Sequence, residues 1–127
     1  CQPKVFRELL IRINTDYNIP MILITENGYF DHGGKYDYER AKYFHQHLSE
    51  LPPLVASGIN IRGYYAWTLF DSFEWHFGYT IRYGLYEVDL NDTKRTRYPK
   101  LSSGVIRSIY KSKRITNFDD SVKKFKS

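Results

Sequence analysis

Met21-Ile22-Leu23-Ile24-Thr25-Glu26-Asn27-Gly28 is the stretch that decides how this chain reads. Met21 to Ile24 are all apolar and two of them are isoleucine, the composition of a strand buried on both faces. The run then meets a carboxylate, an amide and a glycine. Gly28 is expected to take a positive φ and turn the chain sharply. Glu26 is then expected at the C-terminal end of a buried strand, facing a concave surface, where parallel α/β architectures do their chemistry. On this stretch alone the better reading is a glutamate that caps a helix or pairs with an arginine.

A second stretch changes that balance. It runs Gly63-Tyr64-Tyr65-Ala66-Trp67-Thr68-Leu69-Phe70-Asp71-Ser72-Phe73-Glu74-Trp75, followed by Gly78-Tyr79 and Arg82-Tyr83-Gly84-Leu85. Both tryptophans of the chain lie here, eight residues apart, with Glu74 beside the second. A flat aromatic face stacks on the C–H face of a sugar ring, and a carboxylate accepts from its hydroxyls. The alternative is an aromatic core with a structural glutamate.

These motifs resemble the glycoside hydrolases of family one, the β-glucosidase family, over nearly all of residues 5–109. The resemblance rests on Ile24-Thr25-Glu26-Asn27-Gly28, on Gly63-Tyr64-Tyr65-Ala66-Trp67-Thr68-Leu69, and on Asp71 with Phe73-Glu74-Trp75. It continues through Gly78-Tyr79, Arg82-Tyr83-Gly84-Leu85, Val88-Asp89 and Arg97-Tyr98-Pro99-Lys100. Each motif is weak alone; in order and at family spacing they are specific. Animal, insect-type β-glucosidases are nearest in flavour. Tyr29 and Phe30 are bulkier than the family usually carries after the glycine. Thr68 stands for the more frequent serine, Ser72 for asparagine and Tyr83 for phenylalanine.

The implied fold class is α/β, the C-terminal portion of a (β/α)₈ TIM barrel holding the last two strands with flanking helices. A complete barrel takes about 250 residues, so 127 residues are incomplete as a barrel. The expected organisation is barrel over residues 1–112 and a basic, disordered tail over 113–127. The first residue is Cys rather than Met and the opening segment is already amphipathic, so the true N-terminus is expected upstream. Composition is that of a globular segment: 42% hydrophobic, 26% charged, and 17% aromatic with twelve tyrosines. No apolar run approaches the length of a membrane span. The net charge is +5, and six Lys/Arg against two Asp in residues 110–127 account for most of it. A nucleic-acid surface would interleave aromatics with those cations on one face, so no nucleic-acid partner is expected.

Taken in order, Pro3 opens a helix whose apolar stripe is Val5, Phe6, Leu9, Leu10, Ile13 and Tyr17. After the strand Met21–Thr25, Asp31, His32 and Gly33-Gly34 mark a loop rimming the site. Asp37 is the expected N-cap of a helix with Arg40 in its first turn and Tyr43, Phe44, His47, Leu48 and Leu51 buried. His45 and His47 diverge on such a helix, so no metal site is expected. Pro52-Pro53 should break it into a kink or short second helix through Ala56, closed by Gly58. Ile59–Trp67 reads as the second barrel strand, Leu85–Leu90 as an extended segment outside it, and Leu101–Tyr110 as a closing helix. Asn91-Asp92-Thr93 is an N-glycosylation sequon in a polar turn and points toward a secretory route.

The resemblance implies residue roles. Retaining glycoside hydrolysis needs two carboxylates about 5–5.5 Å apart, one nucleophile and one acid/base, and no cofactor. Glu26 is the implied nucleophile. Trp67 is the implied stacking platform for the sugar. Glu74 is implied to accept from the hydroxyls at carbons four and six, Trp75 to donate its indole N–H to the hydroxyl at carbon three, and Tyr83 to close the wall. The family's acid/base glutamate lies in an Asn-Glu-Pro motif that this chain does not contain. The resemblance also implies a cis peptide between Trp67 and Thr68. The implied partner is a small-molecule β-glycoside; the oligomeric state is not legible. A catalytically inactive, glycosidase-like receptor module is the competing class, and a basic-tail interaction module a third.

Overall fold

The computed structural model describes residues 2–127. Pro3 sits in the first turn of α1 (Pro3–Asp16), where its missing N–H costs nothing. β1 (Ile22–Gly28) follows, then α2 (Tyr38–Ser49), α3 (Leu51–Ala56) and β2 (Ile61–Trp67). β1 and β2 pair in parallel, from Ile22 against Ile61 to Gly28 against Trp67. Parallel strands need a long crossover, and α2 with α3 supplies it. The Pro52-Pro53 pair forms the first turn of the short α3, and Gly58 follows its end at φ +97, as the sequence indicates.

The strand pair is covered on one face only. Ile22 and Ile24 pack with Leu10, Leu54 and Ile59, while Met21 and Leu23 on the other face are 51% and 44% exposed. Within these residues the expected burial on both faces is present on the helix side alone; the other face is the one that lines the interior of a barrel. The same applies to α1. Phe6, Leu10 and Ile13 pack, whereas Val5, Leu9 and Tyr17 of the expected stripe are exposed.

A second core joins α2 to α4 (Leu101–Ser112) through Ala41, Phe44, Leu48, Leu101, Val105, Ile106 and Ile109. Between β2 and α4 lies a small antiparallel ladder, β3 (Tyr86–Val88) with β4 (Arg97–Pro99). β3 falls in the extended segment read from sequence. β4 has only three residues, one a proline, and carries no strand signal of its own.

Residues 118–126 differ from the expected disordered tail. They form α5 (Phe118–Lys126), with Ser121 and Val122 buried. Asn117 caps it by accepting from the Asp120 N–H at 3.1 Å, and Asp119 and Asp120 in the first turn face Lys123, Lys124 and Lys126 in the last. Phe118, Val122 and Phe125, at i, i+4 and i+7, pack on the α4 core. Gly104 of α4 makes the room: a Cβ there would lie 2.8 Å from the Phe125 ring. Among the described residues no helix is long and apolar enough to cross a membrane.

Candidate active site

Glu26 owes its position to a β-bulge. Ile24 pairs with Tyr64 and Asn27 with Ala66, so β1 takes one residue more than β2 between those pairs. The extra residue falls at Thr25–Glu26, and such an insertion re-aims a side chain out of the regular alternation. Glu26 is exposed. Asn27 beside it is spoken for: its Oδ1 accepts from the Tyr64 hydroxyl at 2.6 Å. Burial pushes the Tyr64 phenol up, which keeps it a proton donor.

Gly28 does not do what the sequence suggests. Among the described residues the glycines at positive φ are Gly33, Gly34, Gly58 and Gly78, so Gly28 does not turn by a left-handed step. Its reason for being glycine is close approach. A Cβ at Gly28 would stand 2.1 Å from the Trp67 carbonyl oxygen. The end of β1 and the end of β2 are thereby held side by side, Glu26 on one and Trp67 on the other. The Trp67–Thr68 peptide is cis.

Arg40 ties the loops beyond both strands together. It is fully buried on α2. Its Nε donates to the Tyr29 carbonyl at 2.8 Å, one step past β1. Its two terminal nitrogens donate to the Gly84 carbonyl at 2.8 Å and the Arg82 carbonyl at 2.6 Å, beyond β2. They also pair with Asp37 at 2.9 Å and Asp31 at 2.5 Å. Asp31 and Arg82 exchange backbone hydrogen bonds of 2.9 and 2.7 Å, which closes the same seam. Asp37 occupies the N-cap position of α2 but does not cap it. Its carboxylate accepts instead from the Ser102 N–H at 2.8 Å and from the Ser102 hydroxyl, capping α4 across the core. Burial pushes the Asp37 carboxyl up to about 6, against the pull of the Ser102 hydrogen bonds and the charges of Arg40 and Lys100.

The loop after Trp67 is pinned on its far side. Thr68 N–H donates to the Tyr83 carbonyl at 3.2 Å and Leu85 N–H to the Thr68 carbonyl at 2.9 Å. The buried Asp71 carboxylate accepts from Lys100 Nζ at 2.8 Å and from Gly84 N–H at 2.9 Å through its Oδ1. Lys100 is itself fully buried, so both charges depend on one another. Glu74 and Trp75 then stand on a tight 3₁₀ turn (Trp75–Phe77), closed by Glu74 N–H to the Gly78 carbonyl at 2.7 Å. The neighbours face opposite environments: Glu74 is 6% exposed and Trp75 is 84% exposed at φ +48. Tyr83 is half-buried, its ring 5.9 Å from that of Phe30 on the loop after β1.

Of the residues singled out from sequence, Glu26 and Trp67 lie at neighbouring strand ends, and Tyr83 is tied to the residue after Trp67 by its backbone and to Phe30 by its ring. Among the described residues, no hydrogen bond or ring contact joins Glu74 or Trp75 to those three. Arg40, Asp37, Asp71 and Lys100 lay within recognisable motifs, but nothing in their spacing shows the contacts they make. His45 Nε2 pairs with the Thr116 carbonyl at 2.7 Å and His47 Nδ1 with the Tyr43 carbonyl at 2.8 Å. Among the described residues no cluster of three His, Cys, Asp or Glu could hold a metal ion. A groove of about 890 Å³ between α4 and α5 is lined by none of the candidate residues.

A parallel strand pair with flanking helices, and an exposed carboxylate at the strand's C-terminal end beside a tryptophan, is the arrangement of one segment of a (β/α)₈ barrel. The chain belongs to glycosyl hydrolase family 1: residues 1–115 match the model of that family. Beta-glucosidase 12 of Oryza sativa subsp. indica is 41% identical over 109 residues, covering 80% of this chain and 21% of that protein. Myrosinase 1 of Brevicoryne brassicae is 39% identical over 108 residues, covering 84% and 23%. Among solved structures, an aphid myrosinase superposes with a TM-score of 0.81 at 38% identity, over 86% of this chain and 24% of that one. A β-glucosidase from Thermotoga maritima in complex with deoxynojirimycin gives a TM-score of 0.84 at 28% identity, over 90% and 27%. The chain thus spans about a fifth to a quarter of the relatives it matches, and its fold is a portion of their barrel.

Proposed function

We propose that these residues form the nucleophile side of a retaining β-glycosidase that hydrolyses terminal β-D-glucosyl bonds. Glu26 attacks the anomeric carbon as the bond to the aglycone oxygen breaks, the acid/base protonating that oxygen so that the aglycone leaves as its alcohol; water then hydrolyses the covalent glycosyl-enzyme, releasing the sugar and Glu26. Trp67 stacks on the sugar ring, Glu74 accepts from its hydroxyls at carbons four and six, Trp75 donates to the hydroxyl at carbon three, and Tyr83 closes the wall. The acid/base carboxylate comes from a part of the barrel outside these residues. A neutral hexose offers hydroxyls and C–H faces only, and this residue set is matched to both.

The observation that carries the proposal is the bulge that lifts Glu26 out of the strand's alternation beside Trp67. A carboxylate serving only as a helix cap or ion-pair partner needs no such insertion, and Glu26 makes no ion pair among the described residues. In the protein with its barrel complete, Glu26→Gln is expected to abolish turnover of an aryl β-glucoside while the fold persists. Azide, a small nucleophile, is expected to restore product formation to that variant. Turnover that survives Glu26→Gln contradicts the assignment.

A further inference from the structure

We propose that Ser72 is a positioning residue that orients Glu74 and thereby sets how strongly the site reads the carbon-six end of a sugar. This rests on the reading of Glu74 as a sugar-binding carboxylate. The Ser72 hydroxyl donates to Glu74 Oε1 at 2.8 Å. Among the described residues the Glu74 carboxylate has no other hydrogen bond and no ion pair, although it is only 6% exposed. Among the described residues Ser72 is therefore the hydrogen-bond donor that restrains the carboxylate.

Both ends of that contact are held by backbone. Glu74 is anchored through its own N–H to Gly78 and through its carbonyl, which accepts from Phe77 N–H at 2.9 Å. Asp71, immediately before Ser72, donates its N–H to the Tyr86 carbonyl at 3.0 Å, and Lys100 and Gly84 hold its carboxylate. Ser72 is thus a short donor on a rigid stem two residues from its acceptor. A carboxylate offers about four lone-pair sites. Ser72 occupies one on Oε1, which leaves Oε2 without a partner among the described residues and the plane restrained for an incoming hydroxyl. Without that donor, the Glu74 side chain regains its terminal rotation, and a site that is loose by about 1 Å loses the orientation on which discrimination depends.

The test compares Ser72→Ala and Ser72→Thr, each with and without Glu74→Gln, in the protein with its barrel complete. The probes are an aryl β-glucoside and an aryl β-xyloside, which lacks the hydroxymethyl group at carbon six. Ser72→Ala is expected to lower kcat/KM about tenfold on the glucoside and under about threefold on the xyloside. Ser72→Thr, which keeps the hydroxyl, is expected to restore the glucoside value. In the Glu74→Gln background, Ser72→Ala is expected to add nothing. Equal losses on both sugars, or a Ser72→Ala loss that persists in Glu74→Gln, overturn the proposal. Glu74→Gln alone that leaves both substrates unchanged refutes instead the sugar-binding reading of Glu74, and the two failures are told apart.

Discussion

Gly28→Ala is the substitution from which most follows. The Cβ it adds would lie 2.1 Å from the Trp67 carbonyl oxygen and 3.0 Å from the carbonyl carbon. Even a close C–H···O contact keeps carbon and oxygen about 3.3 Å apart, so the two strand ends must separate by roughly 1.2 Å. The obstructing atom is backbone, and no rotamer change relieves it. Overpacking of this kind costs about 1–3 kcal/mol, against a total stability of about 5–15 kcal/mol, so the protein remains folded. The separation falls between Glu26 and Trp67, however, and a misplacement of about 1 Å at a reacting centre costs on the order of 10²-fold in rate. The assay is kcat/KM on an aryl β-glucoside in the protein with its barrel complete, alongside a thermal midpoint. Gly58→Ala is the control: Gly58 sits at φ +97 with open space around its Cβ position, so alanine there strains the backbone without touching the site. Gly28→Ala is expected to lose about 10²-fold in kcat/KM with a lowered midpoint, and Gly58→Ala to lower the midpoint with activity kept. Gly28→Ala with kcat/KM within twofold of the parent would refute the reasoning.

Other expectations concern the frame around the site. Arg40→Met removes one donor each from Asp31, Asp37 and three carbonyls, and removing one partner of a buried ion pair costs about 3–5 kcal/mol; a shift in the denaturant midpoint worth under about 1 kcal/mol contradicts that expectation. Burial lowers the His47 pKa below its ordinary value, opposed by the hydrogen bond to the Tyr43 carbonyl. The unfolded chain then binds the proton more readily than the folded one just below about pH 6.5. The His47 contribution to stability is therefore expected to rise with pH through that window and to be lost on acidification, while the raised Asp37 carboxyl contributes in the opposite sense below about pH 6; His47→Asn should remove the His47 part of a urea-midpoint profile. Residues 1–127 expressed alone expose Leu9, Met21, Leu23, Leu69 and Phe70 on faces without a covering element; they are expected to bind a hydrophobic dye strongly and to show no glycosidase turnover.

Much of this fold was legible because its signals are local. The apolar run before Thr25, the β-branched and aromatic run before Thr68, and the proline pair inside a helical pattern each report on their own segment. What was misread depends on partners. Gly28 looks like a turn glycine from its neighbours, and only the parallel register shows the Trp67 carbonyl in the space of a side chain. Asp37 has the right position for a cap, yet its oxygens cap a helix that starts 64 residues later, at Leu101. The charge of the last eighteen residues obscured the i, i+4, i+7 spacing of Phe118, Val122 and Phe125, whose packing surface is supplied by α4. Glu26 was singled out by its motif; the bulge beside it is a property of two strands and could not be read from one.

The central claim is that Glu26 is the nucleophile. A 2-deoxy-2-fluoro-β-glucoside with a good leaving group slows the hydrolysis of a glycosyl-enzyme and lets it accumulate, because the fluorine destabilises the oxocarbenium-like transition state. Peptide mapping by mass spectrometry of the inactivated, barrel-complete protein reads the labelled carboxylate directly. The expected result is one fluorosugar on the peptide containing Ile24-Thr25-Glu26-Asn27-Gly28, with the fragment ions placing it on Glu26. A label on a different carboxylate, or rapid turnover of a parent glucoside with no label under the same conditions, contradicts the account.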